Sequence, residues 1–230
     1  MGGAGAGDGR HRLGRHHQSH RRSRAGLARI RQVADCVELR LDYFWDIADE
    51  LEDKLSMLAP PLIITARHPL EGGANNLSIQ KRRDLLFRFL PRARYVDVEL
   101  RSVNALHHLL ARARRENVGC IFSFHDLNTT PSVRSLRAKA RTAKSREADI
   151  FKVATRTDSP HQLARLLDFF MNRDADLAVS AMGLGKLGAK SRRELMRRGS
   201  VLNYAHLCHA HISGQPSLPE IRRWKVNVGR

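Results

Sequence analysis

The sequence predicts an α/β protein, a (β/α)8 TIM barrel, from the order of its segments. Seven short apolar runs alternate with amphipathic stretches of helical periodicity. The runs recur about every 25–35 residues, which is typical of consecutive βαβ units around a parallel sheet. Seven such units favour a closed barrel over an open doubly wound sheet. No G-x-G-x-x-G motif follows the first run, which argues against a dinucleotide-binding fold.

The apolar runs are interpreted as buried parallel strands because they are short and lie between helical stretches. The predicted strands are Cys36–Asp42, Leu62–Arg67, Tyr95–Leu100, Gly119–Asp126, Asp149–Ala154, Asp176–Met182 and Leu202–Leu207. The stretches with helical periodicity include Ile79–Leu90, Val103–Arg115, Ser132–Arg146, Ser159–Arg173 and Lys190–Arg198.

One strand of an eight-stranded barrel has no candidate in the sequence. It should precede a helix near Gly26–Val33, yet residues 1–24 contain almost no apolar side chains. We therefore predict two parts, a basic disordered tail over residues 1–24 and a single catalytic barrel domain over residues 25–230. In this interpretation the tail replaces the first strand, unless residues 1–24 are not the natural start of the protein.

The net charge of +18 raises the question of a nucleic-acid partner. Residues 1–31 hold eight arginines and one acid, Asp8, which gives +7 and leaves +11 for the rest of the chain. Such a tail is expected to bind polyanions only weakly. Nucleic acid is therefore not the predicted partner of the folded domain.

Composition also bears on location. No apolar stretch approaches the roughly 18 residues of a membrane span. The three cysteines, Cys36, Cys120 and Cys208, are far apart and form no CxxC motif, which favours free thiols in a reducing compartment. We predict a cytoplasmic protein without membrane contact.

Polar residues recur on the face of the predicted strands that points into the barrel. Residues two apart on a strand share a face, and barrel interiors are normally filled by Val, Ile and Leu. Here the same parity predicts an inward face that carries Glu38, Arg40, Asp42, Thr65, Arg67, Asp97, Glu99, Ser123, His125 and Lys152.

Lys152 allows two interpretations. A lysine in the run Ala148–Ala154 can snorkel from a strand end to water, or it can be buried. Desolvation lowers the pKa of a buried lysine, and the neutral amine is a nucleophile toward carbonyl compounds. Structural ion pairs explain Asp42 and Glu99 well, but they explain His125 beside Asp126 and the nearby Lys152 poorly. Lysine with histidine suggests Schiff-base chemistry on a carboxylated, hydroxylated ketone.

At this point the chain resembles the type I 3-dehydroquinate dehydratase family over roughly residues 25–218. The matching segments keep the family order: VELRLD at 37–42, TAR with EGG at 65–73, YVDVEL at 95–100, FSFHD at 122–126, ADIFKVA at 148–154, MG with G-x-x-S-R at 182–192 and GQ at 214–215. Each motif is weak alone, and seven in order are specific.

The resemblance implies a lyase of the shikimate pathway that forms a Schiff base on Lys152. It implies that His125 removes the C2 proton and protonates the departing C1 hydroxyl in a syn elimination, and that Glu71 sets the protonation of His125. Asp97 is implied as a supporting neighbour. The implied substrate-binding residues are Glu38, Arg40, Arg67, Arg192 for the carboxylate, and Gln215 on a closing loop. The family also implies a homodimer.

Three departures accompany the resemblance. The family's first strand has no counterpart here, and two additional residues precede the G-x-x-S-R segment that carries Arg192. In the closing loop, His211 stands where the family usually has Ser or Thr. Neighbouring His209 and His211 share a strand face, but their spacing matches no standard zinc pattern. We predict no metal and no cofactor beyond the lysine itself.

Three alternatives remain open at the level of sequence. One is a Schiff-base aldolase on the same barrel, against which the E-G-G segment and the pair His125–Asp126 argue. Another is a polyanion-binding module that uses the basic tail. The third is an inactive barrel that lacks its first strand.

Overall fold

A parallel sheet of six strands organises the protein in a computed structural model, which describes residues 34–55, 61–174, 176–206 and 213–226 (without the side chains of residues 225 and 226). The strands are β1 Val37–Arg40, β2 Leu62–Thr65, β3 Ala93–Glu99, β4 Gly119–Asp126, β5 Ile150–Arg156 and β6 Ala178–Leu184. The helices are α1 Ala48–Leu55, α2 Ile79–Phe89, α3 His107–Arg115, α4 Val133–Ser145, α5 Pro160–Met171, α6 Gly188–Arg197 and α7 Leu218–Val226.

The strands lie in sequence order, β1 to β6, and every neighbouring pair is parallel. In a flat sheet β1 and β5 would lie roughly 19 Å apart, because adjacent strands are about 4.8 Å apart. Yet the Lys152 Nζ atom on β5 lies 3.2 Å from the Glu38 Oε1 atom on β1. The sheet is therefore strongly curled, with an inner and an outer face.

Side-chain alternation divides the strands between these two faces. On β4 and β5 the residues Phe122, Phe151 and Val153 belong to the large apolar core that packs against the helices. The alternate residues Ile121 and Ile150 belong instead to a smaller cluster with Ile63 inside the curl. This small cluster forms an apolar floor near the amino ends of the strands, and polar side chains lie above it.

Local capping fixes where several helices begin after their strands. Ser78, Ser132 and Ser159 each accept a backbone hydrogen bond from the first turn of the helix that follows. Ser159 and Gln162 form a reciprocal capping box. The helices predicted after β2 to β6 are confirmed with shifted ends, the largest shift being at α3, which begins at His107 rather than at Val103.

The predicted strand Leu202–Leu207 is wrong over the residues that the structure describes. Residues 202–206 form no strand, and only His206 makes an isolated bridge, to Ser217. Side chains, and not a neighbouring strand, supply partners for carbonyls of this segment: Ser180 Oγ donates to Leu202 at 2.8 Å and Arg192 Nη1 donates to Tyr204 at 3.1 Å. The described residues thus form a six-stranded curled sheet, and not the closed eight-stranded barrel predicted from the sequence.

The predicted tail (1–24) and the predicted helix near Gly26–Val33 lie outside the described residues, as do Leu207, Cys208, His209 and His211. The predictions for these residues therefore stay predictions. Within the described ranges, no helix is long and apolar enough to cross a membrane.

Candidate active site

Lys152 is buried at the centre of the inner face, so it does not snorkel to water. Its side chain is 4% exposed, and its Nζ atom lies 2.9 Å from Asp97 Oδ2 and 3.2 Å from Glu38 Oε1. The ring of Tyr204 covers the ammonium, with the Nζ atom 4.0 Å from the ring centroid. Glu38, Asp97 and Tyr204 thus form a cage around the Lys152 ammonium. The curl of the sheet brings the two carboxylates to Lys152, because Glu38 comes from β1 and Asp97 from β3.

The expected lowering of the lysine pKa is wrong for this state of the protein. Burial disfavours the ammonium, but the carboxylates of Asp97 and Glu38 outweigh burial and raise the pKa of Lys152 above its usual value. Without substrate, Lys152 is held as a cation. A buried ammonium must be either paired or deprotonated, and the strand pattern does not reveal which distant strands supply the counter-charges that decide for pairing.

Asp97 and Arg67 form the buried framework of this cage. Both guanidinium NH groups of Arg67 donate to Asp97, at 3.0 and 2.9 Å. Arg67 also donates to Ser123 Oγ at 2.6 Å and to Glu99 at 3.2 Å. Burial opposes the charge of Asp97, but Arg67 and Lys152 lower its pKa well below the usual range. Arg67 is occupied by protein acceptors, so its geometry fits an ordering residue better than a substrate ligand.

His125 and Glu71 form a second unit, above Lys152. His125 lies on β4, two residues beyond Ser123, which is the register partner of Lys152. Glu71 Oε2 lies 3.1 Å from the His125 Nδ1 atom and accepts the His125 backbone NH at 2.9 Å. Burial, with Arg67 and Lys152 as further causes, lowers the pKa of His125 well below its usual value, so the imidazole is neutral at pH 7. A neutral imidazole is a competent base.

The E-G-G segment positions Glu71 through its two glycines. Gly72 has φ 86°, which is the left-handed region that favours glycine. A Cβ atom on Gly73 would lie 2.2 Å from the Arg67 carbonyl oxygen. The two glycines therefore allow a tight turn that carries Glu71 over the inner face.

Burial, followed by the nearby Glu99 carboxylate, raises the pKa of Glu71 to about 7. An arginine that the sequence argument missed opposes this shift: Arg101 Nε lies 3.0 Å from Glu71 Oε1. Arg101 follows β3 in a short 3-10 turn. Strand alternation does not apply there, so it does not predict which way the Arg101 side chain points. A further missed residue is Arg82 on α2, which is buried and ion-paired with Glu99.

Glu38 and Arg40 line the rim of the site on β1. Glu38 Oε1 accepts from Thr65 Oγ1 at 2.8 Å as well as from Lys152, and the Glu38 side chain is 20% exposed. Arg40 is held by Asp42 through two hydrogen bonds, at 2.9 and 2.7 Å, and donates to the Gly72 carbonyl. Both side chains are partly accessible, as substrate contacts require.

Arg192 is buried on α6 beside the carboxyl end of β6. Its guanidinium donates only to carbonyls in the described part of the chain, from Nε to Gly183 and from Nη1 to Tyr204, both at 3.1 Å. Desolvation lowers the pKa of Arg192 to about 10. Ser191 anchors this region, since its hydroxyl accepts from the Gly183 NH and donates to the Gly188 carbonyl. A buried cation whose partners are neutral carbonyls suits an incoming carboxylate.

Gln215 is half-buried on the segment that follows the undescribed part of the predicted closing loop. The segment packs against the start of α6: the Gly185 NH donates to the Ser213 carbonyl at 2.9 Å, and Gly214 lies against Gly188. The loop thus ends next to the helix that carries Arg192. Gln215 itself makes no hydrogen bond to the inner-face residues in the described ranges.

Fold and site together define an α/β enzyme of the TIM-barrel type, with a buried lysine beside a histidine–glutamate pair. A sequence model of the family described as type I 3-dehydroquinase matches residues 16–224. The chain therefore belongs to the type I 3-dehydroquinase family. It is an enzyme, a carbon–oxygen lyase of the 3-dehydroquinate dehydratase type in the shikimate pathway.

Individual relatives agree with this assignment. The 3-dehydroquinate dehydratase of Thermococcus gammatolerans is 32% identical over 208 residues, which is 90% of this chain and 94% of that protein. The crystal structure of the enzyme from Geobacillus kaustophilus matches with a TM-score of 0.79 and 25% identity, covering 90% of this chain and 85% of that chain. The structure from Aquifex aeolicus gives 0.76 and 27%, with coverage of 88% and 92%. These relatives give no support to the aldolase alternative.

Proposed function

We propose that this enzyme dehydrates 3-dehydroquinate to 3-dehydroshikimate by a syn elimination through a Schiff base on Lys152. The observation that carries the proposal is the position of the Lys152 amine, which is buried between two carboxylates on the same face as the His125–Glu71 pair. The site residues named below are part of this proposal.

Imine formation is compatible with the cationic resting state of Lys152. An ammonium and a ketone give a protonated imine and one water, so the step needs no net proton uptake. A base has only to relay two protons, one after the other, from the nitrogen to the departing oxygen. The positive charge is on the same nitrogen before and after this step, and Asp97 and Glu38 stabilise it there at distances of about 3 Å.

His125 then moves the proton of the elimination. The neutral imidazole removes the C2 proton, and the protonated imine of Lys152 takes up the electron pair as an enamine. Collapse of the enamine expels the C1 hydroxyl, which leaves as water with the proton that His125 received. Hydrolysis of the product imine restores Lys152. Glu71 orients the His125 ring through Nδ1 and supports its transient charge.

Substrate recognition follows from the groups that protein partners leave available. Arg192 binds the substrate carboxylate, while Glu38 and Arg40 contact its hydroxyl groups. Arg67 and Asp97 order the cage, and Gln215 joins the site when the loop closes over the substrate. The substrate hydroxyls thereby meet the polar side chains of β1, and the substrate carboxylate meets the buried guanidinium of Arg192.

Replacement of Lys152 tests the proposal. Lys152→Met is expected to abolish dehydroquinate turnover while the variant stays folded by circular dichroism. Lys139→Met is the matched control, since Lys139 also lies over an aromatic ring, 4.2 Å from the Phe124 centroid, but belongs to α4 on the outer side of the sheet. Turnover retained by folded Lys152→Met would contradict the proposal.

Three further expectations stay predictions. The enzyme is expected to be cytoplasmic, which cell fractionation tests. It is expected to form a homodimer, which sedimentation tests. The tail at residues 1–24 is expected to be disordered and to bind polyanions weakly, and deletion of residues 1–15, which precede the family match, is expected to leave turnover unchanged.

A further inference from the structure

Tyr204 contacts the centre of the site from a segment that is neither strand nor helix. Its ring lies over the Lys152 ammonium, with 4.0 Å between the Nζ atom and the ring centroid. The ring also packs against two apolar clusters inside the curl, formed by Ile63, Ile121 and Ile150 and by Ala154, Met182 and Leu184. Its position is therefore fixed by packing and by a cation–π contact.

The Tyr204 hydroxyl differs from the other polar groups of the inner face. It is buried, and its O–H finds no acceptor in the part of the chain that the structure describes, since the neighbouring Lys152 ammonium can only donate to the phenol oxygen. Buried tyrosine hydroxyls normally find a partner, because leaving one unsatisfied costs free energy. Burial raises the pKa of the Tyr204 phenol above its usual value, so the group remains a hydrogen-bond donor at neutral pH.

Tyr204 also connects Lys152 to Arg192. The Tyr204 backbone carbonyl accepts from Arg192 Nη1 at 3.1 Å, while its ring lies against Lys152. The same residue thus touches the two cations that the proposed mechanism assigns to the ketone and to the carboxylate of the substrate.

We infer that Tyr204 is a substrate-contacting residue, whose hydroxyl hydrogen-bonds an oxygen atom of the hydroxylated carboxylic acid bound between Lys152 and Arg192. This inference rests on the proposed function. The substrate oxygen supplies the partner that the protein withholds, and the ring face stabilises the positive charge that persists on Lys152 when the imine forms. Tyr204 contributes to affinity and orientation, while proton transfer stays with His125.

The test removes the hydroxyl and keeps the ring. Tyr204→Phe is expected to raise KM for dehydroquinate about tenfold with a smaller change in kcat, because one hydrogen bond to the bound substrate is lost. The thermal midpoint of the substrate-free variant is expected to be unchanged or higher, since an unsatisfied buried hydroxyl is removed. Borohydride trapping on Lys152 is expected to persist. A purely structural tyrosine would give a lower midpoint and an unchanged KM, which would overturn the inference.

Tyr95→Phe is the matched control. Tyr95 is half-buried near the amino end of β3, where its ring lies beside Gly119, and it packs on the same Ile63–Ile121–Ile150 floor. Its variant is expected to keep the wild-type KM. An equal rise of KM in both variants would contradict a specific contact at Tyr204.

Calorimetric titration with the product, 3-dehydroshikimate, separates this inference from the proposed function. Weaker product binding by Tyr204→Phe than by the wild type supports the contact, even if the wild type failed to turn over dehydroquinate. Wild-type turnover together with equal binding and equal KM in the variant would overturn the inference and leave the proposed function standing.

Discussion

The two faces of the sheet use the same strands for different purposes. On the outer face, alternate residues such as Val98, Phe122 and Phe151 are apolar and fully buried against the helices. On the inner face, their chain neighbours Asp97, Ser123 and Lys152 are just as buried, yet they are polar and paired with one another. Burial depth is therefore the same, and only the kind of partner differs.

The two kinds of partner imply that the outer and inner faces tolerate amino-acid substitutions differently. An apolar face is stabilised by area and volume, so a similar side chain can replace another at a small cost. A buried ionic face depends on complete pairing, because the loss of one charge leaves its partner buried and uncompensated. The groups proposed to react lie on the inner face, which tolerates substitution least. The apolar packing of the outer face supports them.

The largest expected difference in kcat between the two faces is at two adjacent residues of β4. His125→Ala is expected to lower kcat about 10²–10⁴-fold, because it removes the acid–base group, while borohydride still traps the imine. Phe124→Leu, one residue away on the outer face, is expected to change kcat less than about twofold. Steady-state kinetics with both variants measures the contrast, and comparable losses at the two positions would break it.

Adjacent residues of β3 extend the contrast to stability. Asp97→Ala leaves Arg67 and Lys152 without their shared carboxylate, so the free energy of unfolding is expected to fall by about 3–5 kcal/mol. Val98→Ala on the outer face is expected to cost about 1–3 kcal/mol. Only the inner-face change is expected to reduce kcat/KM, by about 100-fold or more.

Denaturant unfolding and kinetics on the two purified variants check this pair of expectations. If the two variants lost equal stability and Asp97→Ala kept its kcat/KM, the Asp97 carboxylate would matter neither for the stability of the cage nor for catalysis.

The smallest expected effect lies at the rim, where Arg101 contacts Glu71. In the proposed mechanism the ionised form of Glu71 orients neutral His125. Because burial raises the pKa of Glu71 to about 7, kcat/KM is expected to rise as the pH rises through 7. Arg101 favours the ionised form. Arg101→Ala should therefore raise the Glu71 pKa and move the acidic limb to higher pH by roughly 0.2–0.7 units, the range of a weak, partly exposed ion pair.

The pH profile of kcat/KM measures this shift. Arg112→Ala is its control, because Arg112 forms an exposed ion pair with Glu116 on α3, outside the site. An acidic limb that moves to lower pH in Arg101→Ala would reverse the assigned sign.

Strand alternation predicted much of the site from sequence. It assigned Glu38, Asp97 and Lys152 to one face, and their contacts in the structure agree. It could not predict the raised pKa of Lys152, because the counter-charges come from strands 55 and 114 residues away in the chain. It also missed Arg101 and Tyr204, which lie outside strands and helices of regular period.

The predicted strand Leu202–Leu207 failed for a related reason. Its apolar pattern resembles a strand, but its Leu202 and Tyr204 carbonyls accept from the side chains of Ser180 and Arg192 and not from a neighbouring strand. Sequence periodicity describes which side chains are buried, and it does not describe which backbone groups find a partner.

Trapping the enzyme–substrate adduct shows directly whether Lys152 forms the Schiff base. Sodium borohydride added during turnover of 3-dehydroquinate reduces a protonated imine to a stable secondary amine. The predicted result is inactivation with one substrate-derived label on the peptide that contains Lys152, and no label in Lys152→Met. Full turnover in the presence of borohydride with Lys152 unmodified, or a label at another lysine, would contradict the Schiff-base assignment.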